Sequence, residues 1–148
     1  MANFDFSRLR DLERLVGDRM DKVVRGTLLD LSRRIVLRTP VGNPSLWQGP
    51  PPPGYTGGQA RGNWQASISS PNTGTTATID KSGSATLASI NGKTQNAPGN
   101  VWYLTNNLPY INRLEFDGWS TQAAEGMVRI SLRELDRSID EQIANLSG

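Results

Sequence analysis

The chain has 148 residues, the length of one ordinary domain, and 16 basic side chains nearly balance 14 acidic ones, so it carries no strong electrostatic footprint for nucleic acid. It contains no Cys and no His, which excludes disulfides, thiolate nucleophiles, Cys/His zinc centres and Ser-His-Asp triads, and removes the side chain most used for proton transfer near neutral pH. Apolar residues make up 36% of the sequence, a lean supply for a self-sufficient core, so part of the stability is expected to come from neighbouring subunits.

Charge is unevenly distributed. Residues 1–39 hold 9 basic and 6 acidic side chains, residues 40–109 hold 3 and 1, and residues 110–148 hold 4 and 7. The two ends are oppositely biased and are expected to attract each other within a subunit or across an assembly; ordinary solvated helix faces are the plainer reading. The N-terminus MANFDFSRLRDLERL lacks the apolar core of a signal peptide. No window approaches the roughly 18 consecutive apolar residues of a membrane span. The expectation is a soluble protein made in the cytoplasm.

Residues 6–38 are predicted as one helix, because Leu9, Leu12, Val16, Met20, Val23, Leu28, Leu31 and Ile35 recur at spacings mostly of three and four. Asp5 or Ser7 is placed to cap its start, with Phe4 packing back on Leu9. Thr39-Pro40 ends it, since the residue before proline is pushed out of helical geometry. Such a helix is about 50 Å long, unless Gly17 or Gly26 breaks it. Its arginines alternate with Asp11, Glu13, Asp18, Asp21 and Asp30, a pattern that suits ion pairing or a protein interface better than a DNA groove.

Residues 40–62, PVGNPSLWQGPPPPGYTGGQARG, hold six of the nine prolines and six of the fifteen glycines. Four consecutive prolines favour an extended polyproline conformation. Leu46, Trp47 and Tyr55 are apolar anchors that a plain linker does not need, so the segment reads as a docking arm that joins neither sheet nor helix; a flexible surface loop is the plainer alternative. Residues 63–70 are predicted as a strand, residues 71–74 as a turn, and Thr75–Ile79 as a second strand rich in β-branched residues. Ser82 or Ser84 is expected to cap a short helix over 85–91, stopped by Asn91-Gly92. Val101–Thr105 is the strongest strand signal. A helical turn follows Pro109 and breaks at Asp117-Gly118. The last helix spans about 124–145, with Val128, Leu132, Leu135, Ile139, Ile143 and Leu146 as its core stripe. The sum is a single α+β domain. A small antiparallel sheet (63–107, with the short helix) packs on a long N-terminal helix (1–39) and a C-terminal helix (108–148), and the extended Pro/Gly-rich arm (40–62) leaves it.

Three patterns imitate chemistry. Gly92-Lys93-Thr94 resembles the end of a phosphate-binding loop, but Leu87 stands where that loop needs its first glycine. Glu115 and Asp117 flank Phe116 like a carboxylate pair, although nothing fixes their separation. Trp64, Trp102, Tyr103 and Tyr110 resemble a stacking platform for single-stranded nucleic acid, yet only Arg61, Lys81 and Lys93 supply charge between 40 and 109. Turns, acidic loops and core packing account for all three.

Two stretches, TPVGNPSLWQGPPPPGYTGGQARGNWQASI (39–68) and YLTNNLPYINRLEFDGWSTQAAEGMVRIS (103–131), resemble the tail-completion, or neck and minor-tail, proteins of long-tailed bacteriophages. The matching features are Thr39-Pro40-Val41 after a long helix, Ala60-Arg61-Gly62-Asn63-Trp64 leading a strand, and Pro109-Tyr110 with Leu114-Glu115-Phe116 before the C-terminal helix. Asp117 is an insertion relative to that pattern, which has Gly directly after the aromatic. The resemblance implies a virion protein at the head–tail junction, with no catalysis and no catalytic residue, cofactor or metal. It implies copies of itself in a ring, a hexamer first and a dodecamer second, with DNA passing through without specific binding. A head-completion or stopper protein lies on one side and a tail terminator or tail tube protein on the other, with no membrane. Leu46, Trp47, Tyr55, Arg61 and Trp119 are the residues expected at subunit or partner interfaces. The alternatives are a tail terminator capping the tube and a small DNA-binding protein.

Overall fold

The helix predicted over 6–38 runs unbroken from Ser7 to Arg38 (α1) in a computed structural model that describes the backbone of residues 7–46 and 49–146. Side-chain burial is described for these residues except 7–10, 12, 13 and 46. The expected cap and staple at Phe4, Asp5 and the Ser7 side chain, and the anchor Trp47, lie outside the described residues. Neither glycine breaks α1. At Gly26 a Cβ would stand 2.0 Å from Gln142 Oε1, so the missing side chain lets a second helix approach.

After α1 the chain forms a 3₁₀ turn at Pro44–Leu46, a one-turn helix α2 (Gln59–Gly62), strand β1 (Gln65–Ile68), helix α3 (Ser84–Thr94) and strand β2 (Trp102–Thr105). Helix α4 (Ile111–Phe116), a 3₁₀ turn at Thr121–Ala123, α5 (Val128–Arg133) and α6 (Leu135–Asn145) complete it. The two strands pair antiparallel with Gln65 opposite Thr105 and Ile68 opposite Trp102. The α+β reading therefore holds: a small antiparallel sheet lies with α3 against α1, and α5 and α6 pack on α1 as well. Ile35, Val36, Trp64, Ile90, Leu114 and Met127 are the heart of the core.

Four expectations need correction. Thr75–Ile79 is not a strand. Its backbone is engaged by side chains instead: Thr76 N donates to Asn63 Oδ1, Asn63 Nδ2 donates to Thr76 O, and Thr78 N donates to the Thr76 hydroxyl. Such local bonds compete with a ladder. Secondly, α2 shows that the end of the 40–62 stretch does join a helix.

Thirdly, α3 runs through Asn91-Gly92 to Thr94, because Ile90 and Thr94, one turn apart, are both buried and tertiary packing overrides the weak local preference. Its start is capped by Asp80, whose carboxylate accepts from Gly83 N and Thr86 N at 2.8 Å each, together with the expected Ser82, whose hydroxyl accepts from Ser84 N at 3.2 Å.

Finally, the predicted last helix is two helices, interrupted at Glu134. The Ser131 hydroxyl donates back to Met127 O and Glu134 N to Ser131 O, a tightening that bends the chain there. The face turned inward carries Ser131 and Ser138, both fully buried, whereas Leu132 and Ile143 are 48% and 50% exposed. Of the predicted core stripe, Leu132 and Ile143 thus face solvent, whereas Val128, Leu135, Ile139 and Leu146 are half-buried and Val128 packs on the core.

α1 and α6 run antiparallel in a regular register. Arg34 meets Glu134, Asp30 accepts from the Ser138 hydroxyl, and Gly26 faces Gln142, so each step of four along α6 moves four back along α1. Arg38 also pairs with Glu134 at 2.9 Å. This is an intrasubunit use of the opposite charge bias of the two ends. Arg34 first, then Arg38, holds the Glu134 carboxyl below its ordinary range.

Candidate docking groove

The segments that carry the resemblance meet at the C-terminal end of α1. Thr39 is fully buried; its hydroxyl donates to Ile35 O at 2.7 Å and accepts from Trp64 Nε1 at 2.7 Å. The Arg61 guanidinium donates to Thr39 O, Leu37 O and Lys81 O, satisfying carbonyls that a helix end leaves open. Burial pulls the Arg61 pKa down, and nearby Asp80 works against that. Asn63, fully buried, joins Gln59 O to the 76 segment. Thr39, Arg61, Asn63 and Trp64 therefore work inside the subunit as polar stitching, each with its bonding capacity met.

Glu115 does the same for the second block. It is buried, and its carboxylate accepts from the backbone N–H groups of Met127, Val128 and Arg129 at 2.7–2.9 Å, capping α5 from a distance in sequence. Burial alone would push its pKa up, but these hydrogen bonds outweigh it and hold the carboxyl below its ordinary value. Gly126, at φ +86°, passes so close that a Cβ would lie 2.6 Å from Glu115 O. Asp80 repeats the logic at α3: burial opposes, and bonds from Thr86, Gly83 and Ser82 prevail. Hence Glu115 and Asp117 do not converge on a shared site, since the first is a buried cap and the second is exposed. Gly92-Lys93-Thr94 is the last turn of α3, not a loop.

Once this frame is fixed, an apolar groove of about 570 Å³ opens beside it, lined by Pro40, Tyr55, Ala60, Tyr110, Leu114 and Trp119 among others. Tyr55 lies half-buried with its hydroxyl over Gly42, where a Cβ would come within 1.9 Å. Tyr110 packs at 6.4 Å and 57° from Trp119, and the Arg113 guanidinium sits 5.4 Å from the Trp119 ring centre. Burial raises the pKa of both tyrosines. Trp119 is 59% exposed. Arm residues bound this groove at both ends: Val41 exchanges two backbone bonds with the Gln122 amide, and Gly58 O accepts from Asp80 N. The four prolines between are exposed.

Of the residues expected at interfaces, Tyr55 and Trp119 come together in this groove. Arg61 is half-buried outside the groove lining and bonded within its own chain. Leu46 ends the first 3₁₀ turn, with its side chain, like all of Trp47, outside the described residues. Sequence reasoning missed Asp80, Asn63 and Glu115 as structural nodes. Asp80 carried a readable signal, an acceptor three residues before the glycine that opens a helix. Glu115 carried none, because it caps a helix twelve residues away. Among the described residues no cluster of three or more acidic side chains is placed to hold a metal, and no helix is long and apolar enough to cross a membrane. No family model, curated protein or solved structure matches the chain.

Proposed function

We propose that this protein is a structural subunit of a phage neck, a tail-completion protein that joins head connector to tail as a ring around the DNA channel. One observation carries the reading: the two sequence blocks that resemble that family are far apart in the chain but build one object. Tyr55 of the first and Tyr110 and Trp119 of the second line a single groove over a buried polar frame. A groove of aromatic walls with an exposed tryptophan is suited to holding an apolar or proline-rich segment of a partner.

In this reading the helical body sets the spacing of subunits, and the proline-rich arm, which has little conformational freedom to lose, lies across a neighbour. No catalysis and no cofactor enter. The partners are further copies of the chain, a head-completion or stopper protein, and a tail terminator or tube protein, in the virion neck.

Deleting its gene from the encoding phage or prophage tests this. The expected result is filled heads and finished tails that stay unjoined, rescued by the wild-type protein in trans. Tails of uncontrolled length would instead assign it as the terminator, and normally joined particles would overturn both readings. Trp119→Ala is expected to leave the fold intact and to lower the yield of joined particles, by about thirtyfold if Trp119 is an interface hot spot of about 2 kcal/mol.

A further inference from the structure

Ser69 N donates to Val101 O at 2.8 Å, and this fixes the phase of the two-stranded ladder. Opposed residues in an antiparallel pair alternate between those that exchange bonds and those that do not. Ser67 with Tyr103 and Gln65 with Thr105 therefore bond across, while Ala66, Ile68, Trp102 and Leu104 turn their N–H and C=O groups away from the partner strand. Among the described residues neither Trp102 nor Leu104 has a further backbone partner, and apart from β1 no strand or helix packs along β2. The edge is also unguarded. Val101 to Leu108 reads VWYLTNNL, with no charge and no proline to discourage pairing, and Val101 is 61% exposed. Its length of four residues is its one defence.

A second open backbone lies at Thr75–Ile79, which has no helix, turn or bend. Thr76 N and O are taken by the Asn63 amide, and Thr78 N by the Thr76 hydroxyl. The backbones of Thr75, Ala77 and Ile79 bond to no described residue. Used and unused residues thus alternate, as in an extended chain held along one side. The segment, TTATI, is uncharged and rich in β-branched residues, and Ile79 is 48% exposed.

We infer that Thr75–Ile79 of one copy pairs antiparallel with the open edge of β2 in a second copy, Ile79 facing Trp102, Ala77 facing Leu104, and Thr78 opposite Tyr103. Each edge offers N–H and C=O groups at the two-residue spacing the other requires, so opposite ends of the peptide dipoles meet along the join. The same register sets Ile79 beside Trp102 and Thr78 beside Tyr103, β-branched against aromatic, a favourable cross-strand match. The two edges differ, so the contact is head-to-tail: each copy gives one segment and receives one, and repetition closes into a ring or grows as a filament. Two short strands bury far less than the roughly 1,200 Å² of a stable protein pair. The contact is therefore weak between two copies and persists through closure, where every subunit is held twice. The proposal deepens the reading of the chain as a self-assembling subunit and rests on it. The contact is measured on purified protein and the neck reading on particles, so each fails separately.

The chain has no cysteine, so introduced thiols are unique. Tyr103→Cys protein mixed with Thr78→Cys protein under mild oxidation is expected to give about tenfold more disulfide-linked dimer than either alone, because directly opposed residues bring their Cβ atoms within disulfide reach. Circular dichroism melts confirm that each variant is folded. Adding Ala77→Pro to the Thr78→Cys copy removes one outward N–H and is expected to cut the adduct about tenfold. The melt of that copy is expected to stay unchanged, since Ala77 N bonds to nothing described in its own subunit. Ala77→Ser keeps the N–H and is expected to leave the adduct as it was. Tyr103→Cys coupling mainly to itself would show that two β2 edges pair with each other and overturn the proposal. So would an adduct indifferent to Ala77→Pro, or no mixed adduct at all.

Discussion

The two halves of α1 obey the same sequence period and meet opposite fates. From Gly26 to Thr39 the helix is held on several sides. Val36, Ser32 and Thr39 are fully buried, Arg34 and Arg38 are paired, and the final carbonyls are claimed by Arg61. From Asp11 to Met20 every residue with a described side chain is exposed. Apolar spacing alone reports that a face exists. What covers that face is decided by the small residues that let another helix come near, here Gly26, Ser131 and Ser138.

The contrast is sharpest when core residues are cut back. Ile35→Ala is expected to cost about 2–5 kcal/mol in urea unfolding, whereas Met20→Ala on the exposed half is expected to stay within about 0.5 kcal/mol. Equal losses would erase the distinction between the halves. Next comes the remote cap: Glu115→Gln is expected to cost about 1–3 kcal/mol, because buried N–H groups lose a charged acceptor. A smaller effect, about 0.5–1.5 kcal/mol, is expected for Trp64→Phe, which deletes the indole donor to Thr39 and keeps most of the ring packing.

Acid sharpens the comparison further. Glu115 and Asp80 have pKa values lowered in the folded state. Their contribution is therefore fully present above the unfolded values of about 4, and is lost as pH falls through the lower folded values. The melting temperature is expected to be flat from neutral pH to about pH 5 and to fall steadily below about pH 4. Asp80→Asn with Glu115→Gln is expected to flatten that fall, and an unchanged slope would assign the acid sensitivity to other carboxylates.

The sequence is legible where one force dominates. The three- and four-residue spacing and the Thr39-Pro40 stop marked α1, and β-branched and aromatic density marked β2. It is misleading where polar groups go inside. Ser131 and Ser138 look like solvent positions, but their hydroxyls find Met127 O and the Asp30 carboxylate, so they fit a close helix contact and turn Leu132 outward. Thr75–Ile79 has strand composition, but the Asn63 amide reaches its backbone first. The groove is half visible in the sequence: Tyr55 and Trp119 are both expected at interfaces, while the fold that joins them depends on Thr39, Arg61 and Glu115 bonding across long stretches of chain.

The arm between Thr39 and Gly58 has a consequence of its own. Both of its ends are tied to the same frame, the first through Val41 and Gln122 and the second through Gly58 and Asp80. A loop with fixed ends is entropically tolerant of length, since doubling it costs only about 0.6 kcal/mol. Residues inserted among or after the prolines would lengthen the reach of the loop while the pinned ends, and the body they are pinned to, keep their geometry. The length of the arm is thus adjustable by simple insertion and deletion, independently of the packing that keeps the domain folded.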